Sequence, residues 1–344
     1  MQPFNTIGEV FKLTVLGSSH GEYVGGLLEG CPVGMKVDKE LLSKDLERRK
    51  PGQYGTKRKE EDKVVFEQGV DEEGKTVAST IRFIVRNTDV RKEDYDKFKD
   101  YFRPSHVDYV YYEKYGEDIL RYKDEASARM FLPCVVAGSL AKMFLKKYGY
   151  ELKAEVETIG KYQYPQERDE IARELENLKG TDTVGGKVSC RIKHPHISLG
   201  EPIFYKTQAM LAKAMMSIPS AVSFEMGDGI KRTERRGNQD IDQWTGKKTN
   251  DVLETSTNHC GGINGGITNG NDIVFYVGFH PVYTLPATMK LINKDCGIKT
   301  IKIEGRHDLA HVLRCPIIVE NLSAMVMLDL LLMNNKYKID TYEQ

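Results

Sequence analysis

The chain has 344 residues, 40% of them hydrophobic, which is enough for one large domain or two ordinary ones around a substantial core. Lysine plus arginine balances aspartate plus glutamate at 50 each, so no global charge draws it to nucleic acid or an anionic membrane. Anion recognition must come from local clusters.

The N-terminal segment MQPFNTIGEVF has no basic stretch followed by a long apolar one, and the six cysteines (31, 134, 190, 260, 296 and 315) form no CxxC pair. Both features predict free thiols in a reducing cytoplasm. FKLTVL reads as a strand. DKELLSKDLERRKPG reads as a helix that Asp38 caps, with Leu41, Leu42 and Leu46 on one face and Pro51-Gly52 as the stop. TIRFIVRN alternates as a strand. From Ala126 to Lys147 the pattern is helical, and the internal Pro133 predicts a kink. Gln166 to Lys179 is a charged, solvent-facing helix. Lys187 to Lys193 and Asp272 to Phe279 are strands, Glu201 to Ser217 contains a helix, and Glu320 to Asn334 is an apolar closing helix. The apolar runs Met130 to Ala141 and LSAMVMLDLLLM are too short to span roughly 30 Å of hydrocarbon and read as buried helices. Strands and helices mix without a βαβ rhythm, which predicts α+β.

The glycine-rich stretches exclude the common nucleotide sites. GGINGGITNG, Gly261 to Gly270, lacks the Lys-Ser or Lys-Thr ending of a P-loop, and GGLLEG, Gly25 to Gly30, does not fit GxGxxG. Tight turns between strands explain both; close backbone approach to a ligand is the functional alternative.

Three histidine sites lie among small or charged residues: GSSHG (Ser19, His20), FRPSHVDY (Arg103, His106, Asp108) and GRHDLAH (Arg306, His307, Asp308, His311). Histidine exchanges protons near neutrality, and a neighbouring arginine binds carboxylate or phosphate bidentately. Each histidine alone reads more often as a satisfied structural residue. Arg48-Arg49-Lys50 adds a basic cluster, or merely complements a helix C-terminus. HPH (His194 to His196) and HDLAH are the candidate metal ligands. HDLAH lacks the glutamate of HExxH and no cysteine pair accompanies either, so no metal is expected.

Taken in order, these pieces resemble the chorismate synthase family over nearly the whole chain. GSSHG is similar to its GESHG, ERRKPGQ to DRRRPGQ, RNTDVR to NTDQR, and FRPSHVDYVYYEKYG to FRPGHADYTYxxKYG. GEPIFYKTQAMLAKAMMSI, MGDG, TNHCGGINGGITNG and EGRHD also have close counterparts. The resemblance implies one domain over residues 1–344, a β-α-β sandwich assembled as a homotetramer. It implies a cytoplasmic lyase that converts 5-enolpyruvylshikimate 3-phosphate to chorismate and phosphate by anti 1,4-elimination. That reaction needs reduced FMN, and NADPH is a candidate reductant. The resemblance assigns proton transfer to His20, His106 and Asp308. Ser19, Arg48, Arg49, Arg103 and Arg129 would bind substrate, and Ser127, Gly265, His280, Thr284 and Arg306 the cofactor.

The departures from the family pattern concentrate in the flavin motifs. GGGRSSARET appears as YKDEASARMF, Tyr122 to Phe131, with Glu125 in place of an arginine. KPTSS appears as HPVYT, His280 to Thr284, and SIxAVKGVE as SIPSAVSFE, Ser217 to Glu225. Charge-assisted hydrogen bonds are worth roughly 1.5–3 kcal/mol each, so these changes would cost a few kcal/mol of affinity for a phosphate dianion held close by. Two readings follow: an active enzyme with a rebuilt site, in which Lys123 or His280 compensates, or a paralogue that binds without catalysing.

Overall fold

A computed structural model of the chain describes residues 3–50, 52, 61–89, 100–116, 124–249, 251–303 and 308–334. Strands β1 (Thr6–Ile7), β2 (Lys12–Gly17), β3 (Tyr23–Glu29), β4 (Val64–Gln68) and β5 (Ile81–Arg86) form one five-stranded sheet in the order β1-β2-β3-β5-β4. Helix α1 (Lys39–Arg49) follows β3, and α2 (Asp108–Tyr115) and α3 (Leu132–Leu145) follow β5. A second sheet contains β6 (Glu151–Ile159), β7 (Tyr162–Gln163), β8 (Gly186–Lys193), β9 (Ala221–Met226) and β14 (Ile273–Phe279), in the order β7-β6-β8-β14-β9. Helices α4 (Arg168–Leu178) and α5 (Thr207–Met216) precede and follow β8, and α6 (Cys315–Met333) closes the described chain. Three hairpins complete the strands: β10 (Trp244–Thr249) with β11 (Val252–Thr255), β12 (Ile263–Asn264) with β13 (Ile267–Thr268), and β15 (Thr288–Ile292) with β16 (Ile298–Lys302).

Every described strand pair is antiparallel. That agrees with the absence of a βαβ rhythm in the sequence. Helices α3 and α6 pack on one another between the sheets; α3 faces β2 and β3, and α6 faces β6 and β8. The architecture is the expected α+β, β-α-β sandwich, with one apolar cluster running from sheet to sheet through the helices. The helices cross where Gly138 meets Asn321. A Cβ at Gly138 would come within 2.3 Å of Asn321 Cβ, so only glycine allows this approach.

Local chemistry explains the element boundaries. Asp38 Oδ1 accepts from the backbone N–H of Glu40 at 3.1 Å and Leu41 at 3.0 Å, capping α1 as the sequence predicts. Ile171 and Leu175 seat α4 while its charged face meets solvent.

Two expectations are corrected. Pro133 does not kink a long helix: 3₁₀ turns lead into α3 at Leu132, placing the proline in the first turn, where its missing N–H costs nothing. The apolar helices are also longer than expected. With their flanking 3₁₀ turns they run over Ala128–Tyr148 and His311–Met333, 21 and 23 residues, long and apolar enough to cross a membrane. In each, more than four-fifths of the most apolar window is buried inside the protein, 83% and 89%. The reading of both as buried helices therefore stands on burial, not on length.

The buried charges in this layer are mutually satisfied. Glu320 of α6 accepts both Arg48 Nη atoms at 2.9 and 3.0 Å, Lys142 Nζ at 2.7 Å, and the backbone N–H of Ala154 at 3.1 Å. Asp329, which interrupts the closing helix, accepts three backbone N–H groups, those of Glu9, Val10 and Phe11 at 2.7–2.9 Å, and so fastens the N-terminal segment to α6.

Candidate active site

GSSHG forms the tip of the β2–β3 hairpin. Gly17 has φ +80°, and a Cβ there would strike the Tyr23 carbonyl oxygen at 2.2 Å, so the turn needs glycine at this corner. Ser19 is fully buried, and its Oγ lies 2.9 Å from His20 Nδ1. When the hydroxyl donates to Nδ1, the ring carries its proton on Nε2.

Around this turn the fold gathers two arginines and an aspartate. Arg49 at the end of α1 and Arg129, just before α3, are both buried and both bond to Asp62. Arg129 Nη1 donates to Oδ1 at 3.0 Å and Arg49 Nη2 to Oδ2. Arg49 Nε is buried with no hydrogen-bond partner among the described residues. Burial by itself would raise the Asp62 pKa, but the charges and hydrogen bonds of Arg49 and then Arg129 hold it below the ordinary carboxylate value. Arg129 Nε also donates to Asn87 Oδ1 at 2.5 Å, and Ser127 Oγ accepts from the Arg129 backbone N–H at 3.3 Å.

Arg48 goes elsewhere. It precedes Arg49 by one residue in α1, a rotation of about 100°, and meets Glu320. The two arginines that the sequence reading groups together are thus divided between two acidic partners.

FRPSHVDY forms a second group. A backbone pair between Phe102 and Ile292 ties it to β15. Asp108, the first residue of α2, is fully buried. It accepts Arg103 Nε at 2.8 Å on Oδ2 and Arg103 Nη2 at 3.0 Å on Oδ1, and His106 Nδ1 lies 2.9 Å from the same Oδ1. Burial works against the carboxylate, yet the hydrogen bonds from His106 and Arg103, with the Arg103 charge, hold its pKa far below the ordinary range. An ionised carboxylate only accepts, so when His106 donates to Asp108 its proton sits on Nδ1 and Nε2 is left to take a proton; Arg103 Nη2 stands 3.0 Å from the same Nδ1. Arg103 Nη1 donates to Thr284 Oγ1 at 3.2 Å, which joins this group to the altered HPVYT segment. Ser105 stands where the family motif has glycine and adopts φ +59°, the left-handed region.

The third group surrounds Asp308, whose Oδ2 accepts Arg314 Nη2 at 2.8 Å. His311 Nδ1 lies 3.2 Å from Ser220 Oγ and 3.4 Å from Cys315 Sγ. Burial first, and then the Arg314 charge, push the His311 pKa down to about 4. The His280 backbone N–H donates to the Ser220 carbonyl at 2.9 Å, and its ring stacks on Tyr283 at 4.3 Å. Two of the divergent motifs, SIPSAVSFE and HPVYT, are therefore packed on each other beside this group.

Other predicted residues stand apart. Gly265 occupies the tip of the two-residue β12–β13 turn, at φ +63°, with open space where a Cβ would stand. This is the tight-turn reading of that glycine run. Arg306, His307 and Lys123 lie outside the described residues. Glu125 is exposed, and its charge helps to raise the pKa of Tyr111, after burial and Tyr115. In HPH, His196 stacks on Tyr150 and its Nδ1 lies 3.0 Å from the Tyr150 hydroxyl, a packing role. Asp62, Asn87, Asp108, Arg314 and Glu320 hold these groups together without a sequence signal that assigns them a role. Asn87 and Asp108 fall inside quoted motifs, but a single carboxylate in the charged run before β4 gives no signal of its partners.

Residues 11–332 match the family model for chorismate synthase. The chain belongs to the chorismate synthase family. Chorismate synthases of Christiangramia forsetii, Bacteroides thetaiotaomicron and Cytophaga hutchinsonii are 42%, 39% and 39% identical to it. The alignments cover 98%, 96% and 98% of this chain and 100%, 98% and 99% of theirs. A crystal structure of a chorismate synthase shares the fold, with TM-score 0.73 at 23% identity, covering 95% of this chain and 92% of that one. Chorismate synthase family membership makes the chain a carbon–oxygen lyase of aromatic amino-acid biosynthesis. Nothing in these likenesses favours the non-catalytic alternative.

Proposed function

We propose that the chain eliminates phosphate from 5-enolpyruvylshikimate 3-phosphate to give chorismate, with reduced FMN as cofactor, as a cytoplasmic homotetramer. NADPH is the candidate reductant. The observation that carries this reading is the joining of the Ser19–His20 turn to Arg129, and through Asp62 to Arg49, in one hydrogen-bonded unit. Guanidiniums beside a proton donor suit a substrate with two carboxylates and a leaving phosphate.

Arg49 and Arg129 hold substrate anions, already oriented by their shared carboxylate, and Arg49 Nε, which has no partner among the described residues, supports this. Arg103 contributes a third guanidinium. His20 delivers a proton from Nε2 to the departing phosphate while Ser19 fixes its ring. His106 handles a proton at Nε2, with its tautomer set by Asp108. Asp308, held on one oxygen by Arg314, assists proton removal.

The donor set fits FMN. The Thr284 hydroxyl beside Arg103 and the Ser127 hydroxyl offer hydrogen bonds to an anionic cofactor, and the space around Gly265 admits close approach. His280 and Arg306 complete the proposed cofactor residues. When bound, reduced FMN supplies the electron density that assists departure of phosphate.

The test is an anaerobic assay with dithionite-reduced FMN that follows chorismate absorbance. Product is expected. No product at saturating flavin, with substrate still bound, would end the enzyme reading and support the paralogue reading.

A further inference from the structure

Asn87 directly follows β5, in the segment RNTDVR. Its backbone N–H donates to the Glu22 carbonyl at 2.9 Å, continuing the β3–β5 ladder, so its Cα is fixed by the sheet. Its carboxamide makes three hydrogen bonds, all to groups of the proposed site. Nδ2 donates to the Ser18 carbonyl at 3.0 Å and to the Gly21 carbonyl at 2.8 Å, while Oδ1 accepts from Arg129 Nε at 2.5 Å.

The amide orientation is dictated by its neighbours. Flipped, it would set its oxygen against two carbonyl oxygens and its NH₂ against a guanidinium. Ser18 and Gly21 flank Ser19 and His20, so the two N–H bonds close the turn across its base. The third bond reaches Arg129, whose Nη1 is held in turn by Asp62. No other described side chain bonds to both the histidine turn and an arginine of the site.

We infer that Asn87 is a positioning residue that fixes the His20 turn and the anion-binding Arg129 in one mutual geometry. A proton donor and an anion clamp act on the same substrate, and a displacement of about 1 Å between them costs about 100-fold in rate. This inference rests on the roles proposed above for His20 and Arg129.

Two variants of the full chain separate the bonds. Asn87→Asp keeps the acceptor for Arg129 Nε and removes both donors to the turn; Asn87→Ala removes all three bonds. For Asn87→Asp we expect kcat to fall about tenfold or more with KM within about threefold, because anion binding survives and the turn is released. For Asn87→Ala both kcat and KM should worsen, by about tenfold or more each. Wild-type kcat and KM in either variant would overturn the inference. So would failure of both variants to give folded protein by circular dichroism, because the role would then be structural. The His20 Cε1–H resonance, followed by NMR, reads the same displacement without turnover: an unmoved resonance in both variants refutes the inference even if the wild-type chain forms no chorismate. Absence of wild-type product would instead count against the proposed function.

Discussion

Asp62 Oδ1 accepts a hydrogen bond from Arg129 Nη1 at 3.0 Å, and its second oxygen takes Arg49. One buried carboxylate thus spaces two buried guanidiniums that lie 80 residues apart in the chain, from 49 to 129. Asp62→Asn would leave both cations facing a neutral amide. We expect a loss of about 3–5 kcal/mol in urea unfolding, with a raised KM for substrate. The folded-state pKa of Asp62 lies below its unfolded value, so its contribution is present in full above the ordinary carboxylate range and is lost as pH falls through the folded value. The variant's stability should therefore fall less steeply than wild type in acid. Unchanged stability and KM would show that the pairing is incidental.

His20→Ala removes the proposed proton donor without touching the arginines. The expected result is a fall in kcat of about 10²–10⁴ with KM little changed. Ser19→Ala, which frees the ring to rotate, should cost about tenfold. Anaerobic steady-state kinetics decide both. A large rise in KM with kcat intact would instead assign His20 to binding.

Asp108→Asn removes the charge and leaves one accepting oxygen where Arg103 and His106 use two, so an NH₂ group faces one of these donors. Stability should fall by about 3 kcal/mol and kcat by about 100-fold. In the wild-type enzyme the Asp108 carboxyl is held far below the ordinary range, so no limb of the pH–rate profile above pH 4 should come from it. A limb that disappears in Asp108→Asn would contradict this assignment.

Ser105 adopts φ +59° and is exposed, and the family motif has glycine at this position. Left-handed backbone costs a non-glycine residue about 1–2 kcal/mol. Ser105→Gly should therefore stabilise the chain by about 1 kcal/mol in urea unfolding, after allowance for the greater freedom of glycine in the unfolded state. Destabilisation would mean that the serine holds the turn by some other interaction.

His311 is buried, with its folded pKa pushed down to about 4 from an ordinary 6.5. Below pH 6.5 the unfolded chain takes up a proton that the folded chain refuses, so stability falls with pH until the folded histidine also protonates near 4. The loss over this window is about 3 kcal/mol. His311→Gln, which cannot titrate, should show a shallower decline between pH 6.5 and 4. Equal slopes would place the acid sensitivity elsewhere.

The sequence by itself determined the α+β class, the helices α1, α3, α4, α5 and α6, the strands β2, β5, β8 and β14, the cap at Asp38 and the family. These rest on local signals: apolar periodicity, short-range capping, and motifs whose residues are near neighbours in the chain. Only the tertiary structure separated Arg48 from Arg49, because adjacent residues on a helix point about 100° apart and what each meets depends on packing. It placed Pro133 in the first turn of α3, since the end of a helix is set by what surrounds it as much as by its propensity. It also brought Asn87, Asp62 and Arg129 together across separations of 42 and 67 residues, and Arg48 to Glu320 across 272. A carboxylate or amide carries no sequence mark of a partner so distant. Its role appears only when the chain has folded and burial has made the unsatisfied alternative costly.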